Sequence, residues 1–453
     1  MLPTYLTSPN VETIHRRLHA GEYYGAYADA LLHLRDDPGQ AAASILADIA
    51  ILSERCDEAL VVIQAQRSRL HPLVYHQFLG ILSLFAGDLQ QARIHGEALM
   101  ALANGIDVGL ALLTAIADRQ LDHVAKLHLL RQREQRSQQV PLSLLTERWD
   151  VQALLGQHAQ IIAEADQLLR RLPAANIDIQ TTVKLHQVMA MHDQLRFTDS
   201  VAAAVRLARH IPLHMRPQPP TARIRTRRRQ IQILTEIERL VLTENLPVIL
   251  HAGTLLGLIR DGDLLPGDLD LDLATVPPAT SADVVAALMA TGRFKEQRHR
   301  VDTGTFRAVV HQPTGLTVDI TEYQRDGNRF VSRWCHPSGQ VLRESMVPAF
   351  TPVLMDVPGI GRRLPVPDDP AALLAATYGD WRTPDGGFDT MVAAPNLTGY
   401  TDFLASVTAI RLVDYLLAGR IAAARRLGQL LADANIDKEL VSLLAAGNSD
   451  APV

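Results

Sequence analysis

Three aspartates occupy alternate positions in one apolar segment, and together they could hold a divalent cation. Asp268, Asp270 and Asp272 alternate with leucines along residues 268–273. Side chains two residues apart on a β-strand share a face, so the three carboxylates would lie together. Negative charges on one face repel each other, and a bound cation would offset this repulsion. Carboxylate oxygen atoms are ligands that hard divalent ions prefer. The pattern predicts a Mg²⁺ or Mn²⁺ site, and the alternative is a solvated edge strand with an acidic face.

A glycine–threonine turn stands just upstream and could contact a phosphate. The apolar run 248–250 predicts a buried strand, and Gly253 and Thr254 follow where a short helix would begin. Backbone N–H groups at a helix N-terminus, with a threonine hydroxyl, suit a phosphate. Asp319 lies among apolar residues of a later predicted strand and would add a carboxylate, unless it only caps a turn. Phosphate contacts beside several carboxylates are typical of nucleotidyltransferase-type phosphoryl transfer.

The same residues resemble the signature of the LicD/fukutin family. That signature contains GTLLG, then Arg and Asp, then P-W-D-D-D-I-D, a V/I-D-I/F segment and a closing P…YG-D-W/Y…P segment. The matching positions in this sequence are 253–257, Arg260, Asp263, 266–272, 318–320, Pro367, 378–381 and Pro384. Two positions differ, because Gly267 replaces the family's Trp and Leu269 replaces one Asp. The alternating Asp-x-Asp pattern is nevertheless intact.

The resemblance implies a nucleotidyltransferase-like fold. It also implies transfer of a phosphocholine or phospho-alditol group from a CDP-linked donor to a glycan hydroxyl. By this resemblance Asp270 and Asp272 are metal ligands, and Asp319 is the third carboxylate and a base for the acceptor hydroxyl. Asp268 would complete the metal site. The residues placed at the substrate are Gly253, Thr254, Gly257, Arg260, Tyr378 and Trp381.

Several of these residues also have an ordinary structural interpretation. Arg260 could bind a phosphate oxygen in a bidentate manner, or it could be a surface residue of a helix. Tyr378 and Trp381 could stack on a cytosine or simply pack in the core. The arginine cluster at 223–229 could meet an anionic substrate or form a solvated helix end.

Residues 1–213 are predicted to be helical and repetitive. A turn glycine is followed five positions later by a residue that is usually small, at Gly21 and Ala26, at Gly87 and Ala92, and at Gly156 and Ile161. Helix pairs close near positions 38, 72, 104, 173 and 212, which gives a period of about 34 residues. The spacing predicts a tetratricopeptide-like α-solenoid of roughly six repeats, and the alternative is an irregular helical bundle.

The remaining sequence predicts two further parts and an α+β fold class. A proline-rich stretch at 216–220 marks a junction, after which 221–400 predicts a nucleotidyltransferase-like mixed α/β catalytic domain. Helices return at 401–446, where Gly419 and Ala424 repeat the earlier spacing, so this pair is one more repeat or a lid. The predicted helices are 221–244, 254–260, 281–291 and 370–378, and the predicted strands are 248–250, 269–274, 306–311, 316–323 and 329–333.

Composition limits the remaining choices. The chain has 453 residues and a formal net charge of −5, which argues against a general nucleic-acid or membrane-surface binder. The sequence contains no run of 18 uncharged apolar residues, so we expect no membrane span. The first residues do not resemble a signal peptide. The two cysteines predict free thiols in a reducing compartment. We therefore expect a cytoplasmic protein.

The expected function is a metal-dependent phosphotransferase that modifies a cell-surface polysaccharide or lipopolysaccharide. Its partners would be a CDP-linked donor, a glycan or glycolipid acceptor, and a protein on the helical repeats. Two alternatives stay open at this point. The chain could be a nucleotidyltransferase that transfers NMP to a small molecule, protein or RNA, or a non-catalytic scaffold that acts through its repeats.

Overall fold

The structure is a computed structural model that describes residues 11–173, 176–211, 226–266, 268–439 and 444. The predicted junction at 216–220 and Gly267 lie outside these residues. The described chain begins with twelve helices, and each packs against the next one. Helices α1 to α12 are Val11–His19, Tyr23–Asp36, Gln40–Leu52, Cys56–Ala65, Pro72–Ala86, Leu89–Met100, Ile106–Arg119, His123–Arg136, Leu142–Leu154, His158–Arg171, Ile177–Asp193 and Phe197–Ala208.

The turns inside successive helix pairs reveal a regular repeat. Each of these turns contains one residue with a positive φ, at positions 21, 54, 87, 121, 156 and 195. The intervals are 33, 33, 34, 35 and 39 residues, which matches the predicted period. The residue five positions later is buried in every pair, as Ala26, Ala59, Ala92, Lys126, Ile161 and Ser200. The run of helices is therefore consistent with a helical repeat region.

A mixed α/β region follows the helical row. Its helices α13 to α17 are Arg227–Glu244, Ala252–Arg260, Ser281–Ala290, Pro370–Tyr378 and Thr390–Ala393. Its strands β1 to β10 are Val248–Leu250, Asp270–Thr275, Phe294–Gln297, Arg307–His311, Thr317–Thr321, Gln324–Asp326, Arg329–Cys335, Val341–Pro348, Pro352–Val357 and Arg362–Pro367. The predicted strands were found near their expected positions, whereas β3, β6, β8, β9 and β10 were not predicted.

The main sheet brings distant segments side by side. Its five strands are ordered β1-β2-β5-β4-β3, and only the β2–β5 pair is parallel. Strands β6, β7 and β8 form a second sheet, and β9 and β10 form a hairpin. Helices α13 to α16 contribute apolar side chains to the core around the main sheet. This core fixes the position of β2, which carries the acidic pattern.

Two last helices return to the helical row. Helices α18 (Asp402–Leu417) and α19 (Ile421–Asp433) form a pair with a positive φ at Gly419 and a fully buried Ala424. Helix α18 packs against α11 and α12, and one apolar cluster unites the four helices. The pair thus extends the row, and the mixed α/β region is inserted between its sixth and seventh pairs. The predicted order of a helical run, a mixed α/β region and C-terminal helices is confirmed.

None of the helices within the described ranges combines the length and apolar character that crossing a membrane requires.

Candidate carboxylate active site

A sharp turn between β1 and α14 sets one side of the site. The three residues of β1 are buried, and His251 ends the strand by donating its backbone N–H to the Asp272 carbonyl at 3.0 Å. Ala252 then has a φ of 39°, in the left-handed region that a residue with Cβ seldom adopts. Such strain persists only where surrounding packing enforces it. The turn directs the N-terminus of α14 toward β2.

The acidic pattern forms a compact group of half-buried carboxylates. Asp270 and Asp272 lie on one face of β2, whereas Leu271 and Leu273 are 1% exposed on the other. The parallel register places Asp272 directly beside Asp319 of β5. Paired residues of neighbouring strands share a face, so three predicted carboxylates converge there. Asp268 precedes the strand and lies beside the group, because its Oδ2 and Asp272 Oδ2 both lie within 3.3 Å of the position that a Cβ on Gly253 would take.

No basic side chain in the described part of the chain forms an ion pair with these four carboxylates. Burial, followed by repulsion from neighbouring carboxylates, raises the pKa of Asp268 and of Asp272 to about 8. The same two causes raise the pKa of Asp319 to about 7. The group therefore resists carrying its full negative charge unless a cation compensates it.

The predicted phosphate donors already have a protein partner. The Thr254 backbone N–H donates to Asp272 Oδ2 at 3.2 Å. The Thr254 hydroxyl accepts the Asp272 backbone N–H at 2.8 Å, and the residue is only 1% exposed. The N-terminus of α14 thus holds Asp272. The sequence did not reveal this partner, because it arises from the pairing of β1 with β2.

The two glycines of the motif have different surroundings. A Cβ on Gly253 would lie 3.2 Å from Asp268 Oδ2 and 3.3 Å from Asp272 Oδ2, so this glycine keeps space clear beside the carboxylates. A Cβ on Gly257 would lie 2.7 Å from the Asp263 carbonyl oxygen and 2.9 Å from the Leu265 nitrogen. Gly257 therefore allows the loop before the acidic strand to approach α14.

Of the remaining predicted substrate residues, Tyr378 lies beside the carboxylate cluster, whereas Arg260 and Trp381 have other partners or surroundings. Burial and the nearby carboxylates of Asp272 and Asp268 raise the pKa of Tyr378, which places this phenol at the cluster. Arg260 forms a bidentate pair with Asp261, with both N–O distances 2.9 Å. Trp381 is 7% exposed and belongs to the core, and its indole N–H has no hydrogen-bond partner among the described residues. Tyr378 adjoins the cluster, and Trp381 packs as a core residue.

Thr226, which immediately precedes α13, and Gln230 of α13 support the acidic segment and were not predicted. The Thr226 hydroxyl donates to the Asp268 carbonyl at 2.7 Å, and Gln230 Nε2 donates to the Asp270 carbonyl at 3.1 Å. Gln230 is 1% exposed. A glutamine at a core position of an amphipathic helix was the signal available in the sequence, since a buried amide needs a partner.

The described members of the arginine cluster, Arg227, Arg228 and Arg229, form contacts within the protein. Arg227 pairs with Asp263 at 2.8 Å, and the backbone N–H groups of Arg228 and Arg229 donate to the Glu54 carboxylate. Residues 223 and 225 lie outside the described chain. The described arginines therefore anchor α13, and the suggested contact with an anionic substrate finds no support from their geometry.

The donor set suits a hard divalent cation. Among the residues that the structure describes, no group of three or more His, Cys, Asp and Glu side chains is arranged to hold a metal ion. The cluster nevertheless offers carboxylate oxygens, lacks a basic partner among described residues, and adjoins the space that Gly253 leaves clear. Carboxylates of this kind fit Mg²⁺ or Mn²⁺, because a cation would relieve their repulsion as they draw together.

Comparison with known proteins finds one family model, and it covers the part of the chain that contains this cluster. No curated protein matches the chain. The family model described as LicD/FKTN/FKRP, nucleotidyltransferase domain, matches residues 245–369, which include β1, α14, β2 and β5. This part of the chain therefore carries a domain of the LicD/FKTN/FKRP family.

Proposed function

We propose that the chain is a metal-dependent phosphotransferase that modifies a glycan. It would move a phosphocholine or phospho-alditol group from a CDP-linked donor to a hydroxyl of a cell-surface polysaccharide or lipopolysaccharide. The observation that carries the proposal is the convergence of Asp270, Asp272 and Asp319 without a basic partner among described residues. The family match supports a transferase role in glycan modification.

The carboxylates would hold the metal, and other residues would prepare the site. Asp270, Asp272 and Asp319, with Asp268 beside them, are the oxygen donors for Mg²⁺ or Mn²⁺. When bound, such an ion offsets the charge of the transferring phosphoryl group and orients the reactants. The N-terminus of α14 holds the Asp272 carboxylate in place through the Thr254 N–H. Gly253 keeps the adjoining space free for a donor.

The chemical step requires a nucleophile, a base and a leaving group. The acceptor oxygen forms a bond to the phosphorus of the head-group phosphate, and the bond from that phosphorus to the CMP oxygen breaks. Asp319 would take the hydroxyl proton, a role that suits a carboxylate whose pKa is raised to about 7 by burial and neighbouring carboxylates. CMP then leaves. The Tyr378 phenol, beside the same carboxylates, would contact the donor.

The family model is that of a nucleotidyltransferase domain, and this supports one alternative reaction. A nucleotidyltransferase would transfer NMP and release pyrophosphate, whereas the proposed reaction releases CMP. The two reactions use the same carboxylates, so the products distinguish them. The proposal places the chain in the cytoplasm, where Cys56 and Cys335, both free, would remain reduced.

The test is a donor screen with product analysis. The full chain is incubated with CDP-choline, CDP-ribitol, CDP-glycerol, CTP or ATP, with and without Mg²⁺, and thermal shift and products are measured. A donor at about 100 times its Kd should stabilise the protein by roughly 2.7 kcal/mol. Asp272→Asn should abolish turnover, whereas Asp326→Asn, an exposed carboxylate on β6, should not. Metal-independent turnover, or pyrophosphate as the product, would contradict the proposal.

A further inference from the structure

A large cleft lies between the helical row and the start of α13. It has a volume of about 850 Å³, near the upper end of the range for ligand pockets. The helical row contributes Tyr24, Arg55 and Glu58 to one wall. The first turns of α13 and the loop 263–266 form the other wall. A cleft of this size can take a ligand of several rings.

The helical wall presents an oriented aromatic ring. Tyr24 is 65% exposed, which is unusual for so large an apolar ring. The Arg55 guanidinium lies 5.5 Å from the centre of the Tyr24 ring and 4.6 Å from that of Tyr27, which is 2% exposed. Arg55 thereby connects the exposed ring to a buried one. An aromatic ring with a polar hydroxyl at a cleft suits an amphipathic ligand.

The described arginines of the cleft already have hydrogen-bond partners. Among the described residues that line it, there are three arginines and three carboxylates, so their formal charges cancel. Arg55 pairs with Glu58 at 2.5 Å and Arg227 with Asp263 at 2.8 Å, whereas the Arg228 guanidinium donates to the Glu54 backbone carbonyl at 2.9 Å. The Glu54 carboxylate accepts the Arg228 backbone N–H at 2.9 Å and pairs with the Arg229 guanidinium at 3.4 Å. A polyanionic ligand would need a lining with excess positive charge, so the balanced charges of the described lining favour a neutral ligand that can exchange hydrogen bonds.

The second wall is bonded directly to the acidic segment. Thr226 and Gln230 line the cleft, and the same two side chains donate to the carbonyls of Asp268 and Asp270. The loop 263–266 also leads along the chain to Asp268. A ligand in the cleft would therefore lie against the elements that position the carboxylates.

We propose that this cleft binds the glycan acceptor as a neutral oligosaccharide. The Tyr24 ring packs against the apolar C–H face of one sugar, and the paired polar groups around it contact the hydroxyls. The inference rests on the proposed transfer to a glycan, and it adds the acceptor's charge class and its docking site. It also gives the helical row a direct role in acceptor binding.

Binding can be measured without knowing the natural acceptor. The full chain is tested against short neutral oligosaccharides, short acidic oligosaccharides and a peptide library, and hits are titrated by calorimetry. Tyr24→Ala should weaken binding of neutral oligosaccharides at least about tenfold, a change of about 1.4 kcal/mol. The control is Val124→Ala, a 70% exposed residue of α8 outside the residues lining this cleft, and it should not alter binding. Unchanged binding by Tyr24→Ala, binding of acidic oligosaccharides or peptides alone, or no glycan binding would overturn the inference.

Kinetics separate the cleft from the proposed reaction. Tyr24→Ala should raise the acceptor KM, whereas Val124→Ala should leave both the acceptor KM and CMP release by slow donor hydrolysis unchanged. Asp272→Asn should lose CMP release and still bind the oligosaccharide. If the wild type turns over and Tyr24→Ala has the same acceptor KM, the cleft is not the acceptor site, although the proposed reaction stands. Oligosaccharide binding without turnover of any CDP-linked donor would refute the reaction and the cleft's role as an acceptor site.

Discussion

Replacing Gly253 by alanine tests the site without changing its charge. The new methyl group would lie 3.2 Å from Asp268 Oδ2 and 3.3 Å from Asp272 Oδ2. Both contacts are tighter than most real Cβ contacts, so the carboxylates must move by a few tenths of an ångström. Both are side-chain atoms, and the backbone can stay where it is. The substitution should therefore disturb the site and spare the fold.

The two expected effects differ in size. Alanine is favoured over glycine inside a helix by about 1 kcal/mol, and the close contacts offset part of that gain. We expect the free energy of unfolding to change by about 1 kcal/mol or less, or a few degrees in Tm. Catalytic groups must hold their geometry to within about 0.5 Å, and a 1 Å error can cost about 100-fold. We therefore expect kcat/KM to fall roughly 10- to 100-fold.

The assay combines CMP release with thermal unfolding of the same samples. Gly257→Ala is the matched control, because its methyl group would meet backbone atoms of Asp263 and Leu265 at 2.7 and 2.9 Å. That variant should lose stability clearly, since a backbone segment must move to admit it. Wild-type kinetics in Gly253→Ala would refute our account of this glycine. Unfolding of Gly253→Ala would equally show that the turn is part of the core.

Three further outcomes are expected. Asp272→Asn should leave the metal-free protein folded and somewhat more stable, because one of several repelling carboxylates is lost; a clear drop in Tm would contradict this. Burial lowers the pKa of His192 to about 4, below the value of about 6.5 in an unfolded chain. The contribution of the neutral imidazole to the free energy of unfolding is therefore present above pH 6.5 and is lost as pH falls toward 4. Between pH 7.5 and 4.5 the wild type should therefore lose up to about 3 kcal/mol more stability than His192→Gln, and equal losses would exclude this linkage. Glu54→Asn should lower Tm, because it removes the carboxylate that accepts the first backbone N–H groups of α13. We expect this loss to outweigh the gain from asparagine, which adopts the positive φ of position 54 more readily. An unchanged Tm would show that the cap contributes nothing.

The repeat could be predicted only partly from the sequence. Glycine marked the turns at 21, 87 and 156, because glycine readily adopts a positive φ. The turns at Glu54, Leu121 and Leu195 have the same backbone conformation without glycine, so a search for glycine passed over them. Their spacing shows that the period continues through all six pairs.

The site was predicted in its residue types more fully than in its contacts. Alternation identified the shared face of Asp270 and Asp272, since strand geometry follows directly from the backbone. Pairing of Asp319 with Asp272 depends on the strand order β1-β2-β5, and strand order is a long-range property. The same is true of the bonds between Asp272 and the start of α14. Strand β8 was not predicted, and its burial pattern is irregular. Strands β9 and β10 were not predicted either, and a hairpin turn at Gly359 and Gly361 joins them.

The insertion of the mixed α/β region has a consequence for protein synthesis. Helix α12 ends at Ala208, and α18, which covers its apolar side, begins at Asp402. At about 5–20 residues per second, a ribosome needs on the order of 10–40 s to make the intervening chain. During that interval the nascent helical row has an uncovered apolar end, as an unfinished repeat array does. Chaperones that bind exposed apolar surface should therefore associate with ribosome-bound chains that end between these helices, and release them once α18 has emerged.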